Sequence, residues 1–526
     1  MTGPCYGVDC SGHGTCVGAE GTATCDCEDG YHAEGLSCVE DGTTGPCYGV
    51  TCSGHGTCHV VNGSAQCECE AGYLTQDDVT CVEDFAASCA MQYVEEVSIP
   101  SYDPTNPEHF LIQTDDDWSH INDSDKIHFY VVPNDYTALG RIELTRSGTE
   151  ARRRAIALYN GNDDHPGALP RDTVHLAKVL FDVESSYWII DRMALWDHDT
   201  ASNYGIFAFD AGAEHNIVNR TYTSHIENAV NIRNGAYDNT IQNSRFEDTE
   251  ECDAVTILLG GMTDTEAIYI VDTKIVNNEF YNQNMAIMFI RFINPDSGLR
   301  QPVDVEGLVC ACNQVYLDDD TQPNTSSGFN FAAGSMNPDK PVVITRNMLW
   351  GYTGFGNRGD TAVVGYSNVR NAVFTQNVIF DSARCISAGS AGPPDNEGEG
   401  GLRTGFAQSE LTGNLFYGCG KNDYYPLKLS SYQTIVEENA LIDCKIGYLE
   451  ASGNDAESTF QNNDICNTPD DWNDLGDNDS EFVSTVLDNN HYESAQDAGY
   501  SQSLLFTRDR FTDHPTVVSL PHAVRP

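Results

Sequence analysis

From about Ile190 onward, apolar and polar positions recur in one short pattern: an apolar residue, two variable positions, Asn, one variable position and a second apolar residue. Copies run from Ile275 to Phe280 around Asn278, Cys310 to Val315 around Asn313, Ile344 to Leu349 around Asn347 and Phe374 to Ile379 around Asn377. Further copies run from Leu411 to Phe416 around Asn414, Val436 to Leu441 around Asn439 and Phe460 to Ile465 around Asn463. Two earlier copies keep the apolar frame with Arg220 and Ser244 at the Asn place. The Asn positions follow one another at intervals of 24, 34, 35, 34, 30, 37, 25 and 24 residues, the period of a solenoid coil with loop insertions of varying length. Each coil is then a set of short strands joined by turns, and stacked coils form parallel sheets around an apolar interior. Asn suits the turn because it tolerates the left-handed conformation and its amide can bond to the Asn of the coils above and below.

A second strand with period-two alternation precedes each Asn element, as in Ala229–Gly235, Ala286–Ile290, Gly328–Phe331 and Pro426–Ser431. Alternation puts Val230, Ile232, Ile287, Phe289, Phe329, Phe331, Leu427 and Leu429 inward. Asn231, Arg233, Met288, Ile290, Asn330, Lys428 and Ser430 then face outward. The run Asp115–Ile121 reads as a short amphipathic helix capping the open first coil, whose uncovered end would expose core and strand edges. The tail beyond about Thr485 lacks the repeat.

The first 81 residues follow another rule. Cys5, Cys10, Cys16, Cys25, Cys27 and Cys38 are followed by Cys47, Cys52, Cys58, Cys67, Cys69 and Cys81 at nearly the same spacings, and GPCYGVDCSGHGTC returns as GPCYGVTCSGHGTC. A unit of about 40 residues buries too little apolar surface to fold unaided and needs covalent staples. Six cysteines allow 15 pairings, and spacing alone does not choose among them. A zinc site is the competing use of dense cysteine, but the usual two-residue spacing is missing. Disulfides at this density persist in an oxidising compartment, so a secreted or cell-surface location is expected, with an export signal removed ahead of Met1. No apolar run is long enough for a transmembrane helix, and membrane insertion is not expected.

Composition narrows the partners. The formal charge is −52, from 79 acidic against 27 basic residues, and such a surface repels nucleic acid, anionic lipid and anionic polysaccharide unless a cation bridges them. A glycan, another surface or matrix protein, or a second copy in self-assembly remain as partners.

The N-terminal pattern resembles tandem EGF-like modules, with the Cys-x-Cys pair, the SGHGTC turn and the dipeptides Gly30-Tyr31 and Gly72-Tyr73 in each copy. That resemblance implies the pairs Cys5–Cys16, Cys10–Cys25, Cys27–Cys38, Cys47–Cys58, Cys52–Cys67 and Cys69–Cys81. Neither copy has the acidic lead of the calcium-binding subtype, so no calcium is expected there. The repeat from about Lys126 to the mid 480s resembles the right-handed parallel β-helix of pectate-lyase-like proteins. The expected organisation is thus all-β: modules at 1–41 and 42–84, a linker at 85–107, and a β-helix with its N-terminal cap and non-repeat tail over 108–526. The remaining cysteines are Cys89, Cys252, Cys310, Cys312, Cys385, Cys419, Cys444 and Cys466. Cys385 with Cys419 and Cys444 with Cys466 lie about one coil apart and are the candidate pairs.

The β-helix resemblance implies glycan chemistry in a groove on one sheet face. A lyase of the alginate or chondroitin branch needs a Lys base and an Arg acid about one coil apart. Asn231–Gly235 resembles the strand that carries the Arg, so Arg233 is the match, but the coil before it, Ile206–Asp210, has no Lys. Lys274 and Arg291 form an alternative basic pair, and His225 stands near Arg233 in sequence. The acidic string Asp248, Glu250, Glu251 and Asp253 could hold Ca2+ through carboxylate oxygens. The Gly-His-Gly motif of the polygalacturonase kind occurs only inside the N-terminal modules, and its Arg-x-Lys motif is absent. Two functions follow. The first is a non-catalytic extracellular scaffold or adhesin, possible as an appendage component or glycan binder, with Met288 and Ile290 as a contact patch. The alternative is a secreted polysaccharide lyase or glycoside hydrolase.

Overall fold

A computed structural model describes residues 4–492 apart from 160–179, 197–205, 248–254, 260–268, 294–299, 318–326, 353–360, 389–404, 420–426, 452–458, 467–485 and shorter gaps of one to five residues. The chain divides into two compact units, one holding Met1–Met91 and the other Gln92–Gln502.

In the first unit each cysteine-rich copy is two antiparallel hairpins: Gly14–Ala19 with Thr22–Cys27 and Tyr31–Glu34 with Ser37–Glu40, then Gly56–Val61 with Ser64–Cys69 and Tyr73–Thr75 with Cys81–Glu83. Six disulfides join Cys5 to Cys16, Cys10 to Cys25, Cys27 to Cys38, Cys47 to Cys58, Cys52 to Cys67 and Cys69 to Cys81. The cysteines are themselves the core. Cys10, Cys25 and Cys38 form the buried centre of the first copy, and Cys52, Cys67 and Cys81 that of the second. A histidine stacks on a tyrosine in both, His13 on Tyr31 and His55 on Tyr73, with ring centroids 4.0 Å apart.

The second unit is a right-handed parallel β-helix, the hand that parallel crossovers adopt. One coil illustrates the rest. Phe207–Phe209 lies on one face, Ile217–Asn219 on the next and Tyr222–Ser224 on the third, and each pairs in parallel with its counterpart one coil on: Val230–Ile232, Thr240–Gln242 and Arg245–Glu247. Most strands are short, because a chain that closes a triangle must soon turn. Inward side chains such as Phe207, Phe209, Val230, Ile232, Ile287 and Phe329 are fully buried in one continuous core. The coil stack extends beyond the Lys126 to mid-480s range read from the repeat. His109–Ile112 pairs in parallel with His128–Val131, and Val486–Tyr492 pairs in parallel with Thr459–Cys466. The latter is a rung inside the stretch read as tail.

At the first coil the expected short cap is a six-residue 3-10 helix, Asp115–His120. Thr114 and Asp117 form a capping box, and Trp118 turns into the core, edge-on to Tyr136 and Phe181. Three consecutive acids in one turn cannot face the core, so only Trp118 and Ile121 enter it.

The Asn column is a hydrogen-bonded ladder. The backbone N–H of Ser244, Asn278, Asn313, Asn347, Asn377, Asn414 and Asn439 each donates to the side-chain oxygen of the next Asn, ending at Asn463, at 2.9–3.0 Å. Two details differ from the sequence reading. The left-handed residue is the one before each Asn, as at Asn277, Cys312, Arg346, Gln376 and Glu438, because the Asn itself must aim its amide along the stack. The position aligned with Ser244 is Thr221, whose N–H donates to Ser244 Oγ at 3.1 Å. Arg220 stands one place earlier, in the left-handed corner. A second short ladder, Asn216 to Asn239, occupies another corner.

Cys385 and Cys419 are bridged, and Cys89 is in a disulfide, as is Cys312. The pairing of Cys444 with Cys466 is not made: the Cys444 thiol is buried and donates to the carbonyls of Phe416 and Ile442. Cys310 is a buried thiol in the core. Cys252 lies outside the described residues. No helix among the described residues is long and apolar enough to cross a membrane.

Residues Glu95–Tyr102, within the stretch read as linker, run against the β-helix. Val97 and Ile99 pack on Ala155, Ile189 and Ile217, and Tyr130 Oη donates to Pro100 O at 2.7 Å. Near this strap sits His128, its ring edge-on to His109 at 5.4 Å. Burial, then the neighbouring His109 and Arg152 against the opposing pull of Glu108, pushes its pKa down to about 4. Unfolded His128 binds its proton at about 6.5, so stability from this site is complete above that pH and is lost as pH falls toward 4. Denaturant unfolding from pH 7 to 4 is expected to show a flatter acid decline in His128→Phe than in the parent.

Candidate functional site

The first coils carry charge on their outward sheet face. Period-two alternation in Leu180–Val183 and the residue after it sends Phe181 and Val183 into the core and leaves Asp182 and Glu184 on the opposite side. The parallel register then stacks Glu143, Asp182, Ala208 and Asn231 in one column. Two residues along, main-chain bonds stack Asp210 on the coil of Val183 and Arg233 on the coil of Phe209.

Oxygens of Asp182, Glu184 and Asp210 lie within 4.8 Å of one another. Two guanidinium groups bracket them. Arg141 pairs with Asp182 and reaches Glu184 at 3.8 Å and Glu143 at 3.6 Å; Arg233 pairs with Asp210. Asp182 is buried, Asp210 and Arg233 are partly covered, and Arg141 and Glu184 are open to solvent. The cluster therefore grades from a dry floor to a wet rim. Carboxylates accept and guanidinium groups donate, so together they can engage both partners of a hydroxyl-rich ligand. A divalent cation placed on the three carboxylates would have to compete with Arg141 and Arg233 for the same oxygens.

Lys274 lies elsewhere. Lys274 Nζ bonds Glu95 Oε1 at 2.8 Å, fastening the strap. Burial raises the Glu95 carboxyl pKa, but Lys274, Arg153 and Thr240 outweigh it and the net shift is downward. Lys274 is thus engaged in a structural pair. His225, Arg291, Asp248, Glu250, Glu251, Asp253 and Ile290 lie outside the described residues, as does the side chain of Met288. Of the two described catalytic candidates, Arg233 is in the cluster and Lys274 is not. Sequence reading missed Arg141, Asp182 and Glu184; the signal available was the Asp-Val-Glu alternation at 182–184, one coil before Asp210.

No family model matches this chain, and no curated protein matches it. Several solved structures are similar to this chain. A mannuronic acid-specific family 6 polysaccharide lyase from human gut microbiota is 10% identical, covering 73% of this chain and 86% of its own at a TM-score of 0.40. The catalytic unit of an α-1,3-glucanase from Streptomyces thermodiastaticus is 12% identical, covering 76% and 71% at 0.38. The surface adhesin PfbA of Streptococcus pneumoniae is 13% identical, covering 72% and 87% at 0.36. Likenesses at this level assign no activity to this chain. The class of protein reached is a disulfide-rich N-terminal pair followed by a parallel β-helix.

Proposed function

We propose that this is an extracellular protein, with two EGF-like modules ahead of its β-helix, that binds a neutral glycan on the outward sheet face around Asp182, Glu184, Asp210, Arg141 and Arg233. The observation that carries the reading is the convergence of three carboxylates within 4.8 Å between two arginines. Sugar hydroxyls both donate and accept, and this arrangement offers both complements side by side. A polyanion is disfavoured by the net charge of −52.

Carboxylate proximity also favours a second reading, hydrolysis of the bound glycan, because paired carboxyl groups are the usual acid and base or nucleophile of that reaction. Lyase chemistry has less support. Where a Lys base would stand one coil before Arg233, the residue is Asp210, and it holds the guanidinium in an ion pair.

Calorimetric titration with neutral oligosaccharides tests the reading. Asp210→Asn is expected to weaken binding about tenfold, from the loss of one charge-assisted hydrogen bond or pair. Release of reducing ends by the parent, lost in the variant, would establish hydrolysis. On alginate, pectate and chondroitin, ultraviolet absorbance from unsaturated product is not expected; its growth, abolished by Arg233→Ala, would replace this reading with a lyase. Absence of binding to any neutral glycan would overturn it.

A further inference from the structure

Large hydrophobic side chains on the outside of the β-helix are few among the described residues: Tyr237, Tyr269, Met336 and Ile435. The first three fall on one short lateral face, around the corner from Arg233. Tyr237 pairs in parallel with Val271. Tyr269–Val271 pairs with Asp304–Glu306, and Val303–Asp304 pairs with Ala333–Gly334. Ile270 and Val305 enter the core, so Tyr269, Asp304 and Gly334 form one outward column and Tyr237, Val271 and Glu306 the next, with Met336 two residues beyond Gly334. At the near end Gly235 N donates to Tyr269 O, and Gly235 adds no side chain in front of Tyr269.

Exposure of 37% at Tyr237, 44% at Tyr269 and 59% at Met336 is not a packing requirement, since the inward positions of these rungs are already filled. A cluster of this kind on an otherwise acidic surface marks contact with a partner. Its polar surroundings specify the partner's chemistry. Tyr269 Oη bonds Glu306. Asn337 Nδ2 reaches Glu306 Oε2 at 3.4 Å, Asp304 Oδ1 accepts from Met336 N at 2.9 Å, and Lys340 Nζ bonds Asp272 Oδ2 at 2.7 Å. Aromatic faces and a thioether beside carboxylates, an amide and an ammonium match a pyranose ring, which has an apolar C–H face and a rim of hydroxyls. The acids Asp272, Asp304 and Glu306 repel a uronate or sulfated sugar at the same place.

We infer that Tyr237, Tyr269 and Met336, rimmed by Asp304, Glu306 and Lys340, form a second binding surface that takes neutral pyranose units of the same glycan beyond the carboxylate cluster. This rests on the glycan reading above. Arg233 and Gly235 are two residues apart on one coil, so a single glycan chain can leave the cluster and continue over the tyrosines.

Affinity electrophoresis of the full chain tests it, in gels containing a β-glucan, an α-glucan or a mannan, with alginate as the anionic control. Retardation in at least one neutral gel is expected. It should weaken about tenfold in the Tyr237→Ala, Tyr269→Ala double variant, the scale of losing two ring contacts. Both side chains are exposed, and an unchanged thermal melt verifies folding. Titration of short oligosaccharides that fill only the cluster should be unaffected by the double variant and weakened by Asp210→Asn. Retardation that survives loss of both tyrosines and disappears in Asp210→Asn would overturn this surface and leave the cluster reading intact. Stronger retardation in alginate than in every neutral gel would overturn the neutral class. No retardation in any gel and no oligosaccharide binding would overturn both.

Discussion

Asn377→Leu is expected to destabilise the β-helix by about 3–5 kcal/mol while leaving glycan affinity unchanged. Leucine keeps the branched shape of asparagine but is larger and carries no polar atom, so lost hydrogen bonds add to the cost of overpacking. Asn377 is fully buried. Its amide nitrogen donates to Ile344 O at 2.9 Å, Thr375 O at 3.1 Å and Asn414 Oδ1 at 3.1 Å. Its oxygen accepts from the backbone N–H and the amide nitrogen of Asn347, both at 3.0 Å. Substitution therefore strands groups on the coils on either side, each an unsatisfied buried partner costing about 1–3 kcal/mol. Hydrogen exchange gives the local readout: the Asn347 amide should lose protection ahead of amides several coils away, since a solenoid transmits damage mainly to nearest neighbours. A variant that melts like the parent and binds glycan differently would make the ladder a ligand site.

Mild reduction is expected to expose residues 1–81 to chymotrypsin while the β-helix stays resistant. The N-terminal copies contain little besides cystine to hold them, with Cys10, Cys25 and Cys38 as the buried centre of one and Cys52, Cys67 and Cys81 of the other. Each bridge contributes about 2–5 kcal/mol, and three are lost per copy. The β-helix keeps a continuous apolar core that owes its stability to burial, with Cys385–Cys419 stapling one region of it. Trypsin would be blind here, because the first lysine or arginine in the chain is Lys126. Chymotrypsin can use Tyr6, Tyr31, Tyr48 and Tyr73. Peptide mapping over a reductant series should therefore report cuts at these tyrosines well before any in Phe207–Phe209. Coincident loss of both regions would contradict the division.

Both expectations concern features repeated along the chain, and repetition is what made them legible. The Asn column stood out because one residue type recurs at coil spacing within a fixed apolar frame, and the cysteine pattern because it occurs twice. Where the repeat is degenerate its spacing misaligns the column: Thr221 rather than Arg220 takes the place of asparagine, since in that coil a charged residue fills the left-handed corner. His109–Ile112 is not marked by the repeat, because it precedes the capping helix and has no Asn element.

The sequence by itself determined the period, the inward and outward sides of each strand, the stacked asparagines and the stapled character of the first 81 residues. All of these follow from local spacing, because a period of two decides which side of a strand a residue takes and a coil length decides which residues align. The tertiary structure alone decided which charges meet. Lys274 was drawn away from any groove to Glu95, 179 residues distant, and Arg233 was joined to Asp210, 23 residues before it. Asp182 and Glu184 joined that group only through the register of Leu180–Val183 with its neighbours. Loops of unequal length separate these rungs, and backbone hydrogen bonding across the stack sets their register, so contacts along the solenoid axis depend on folding rather than on any spacing visible in the chain.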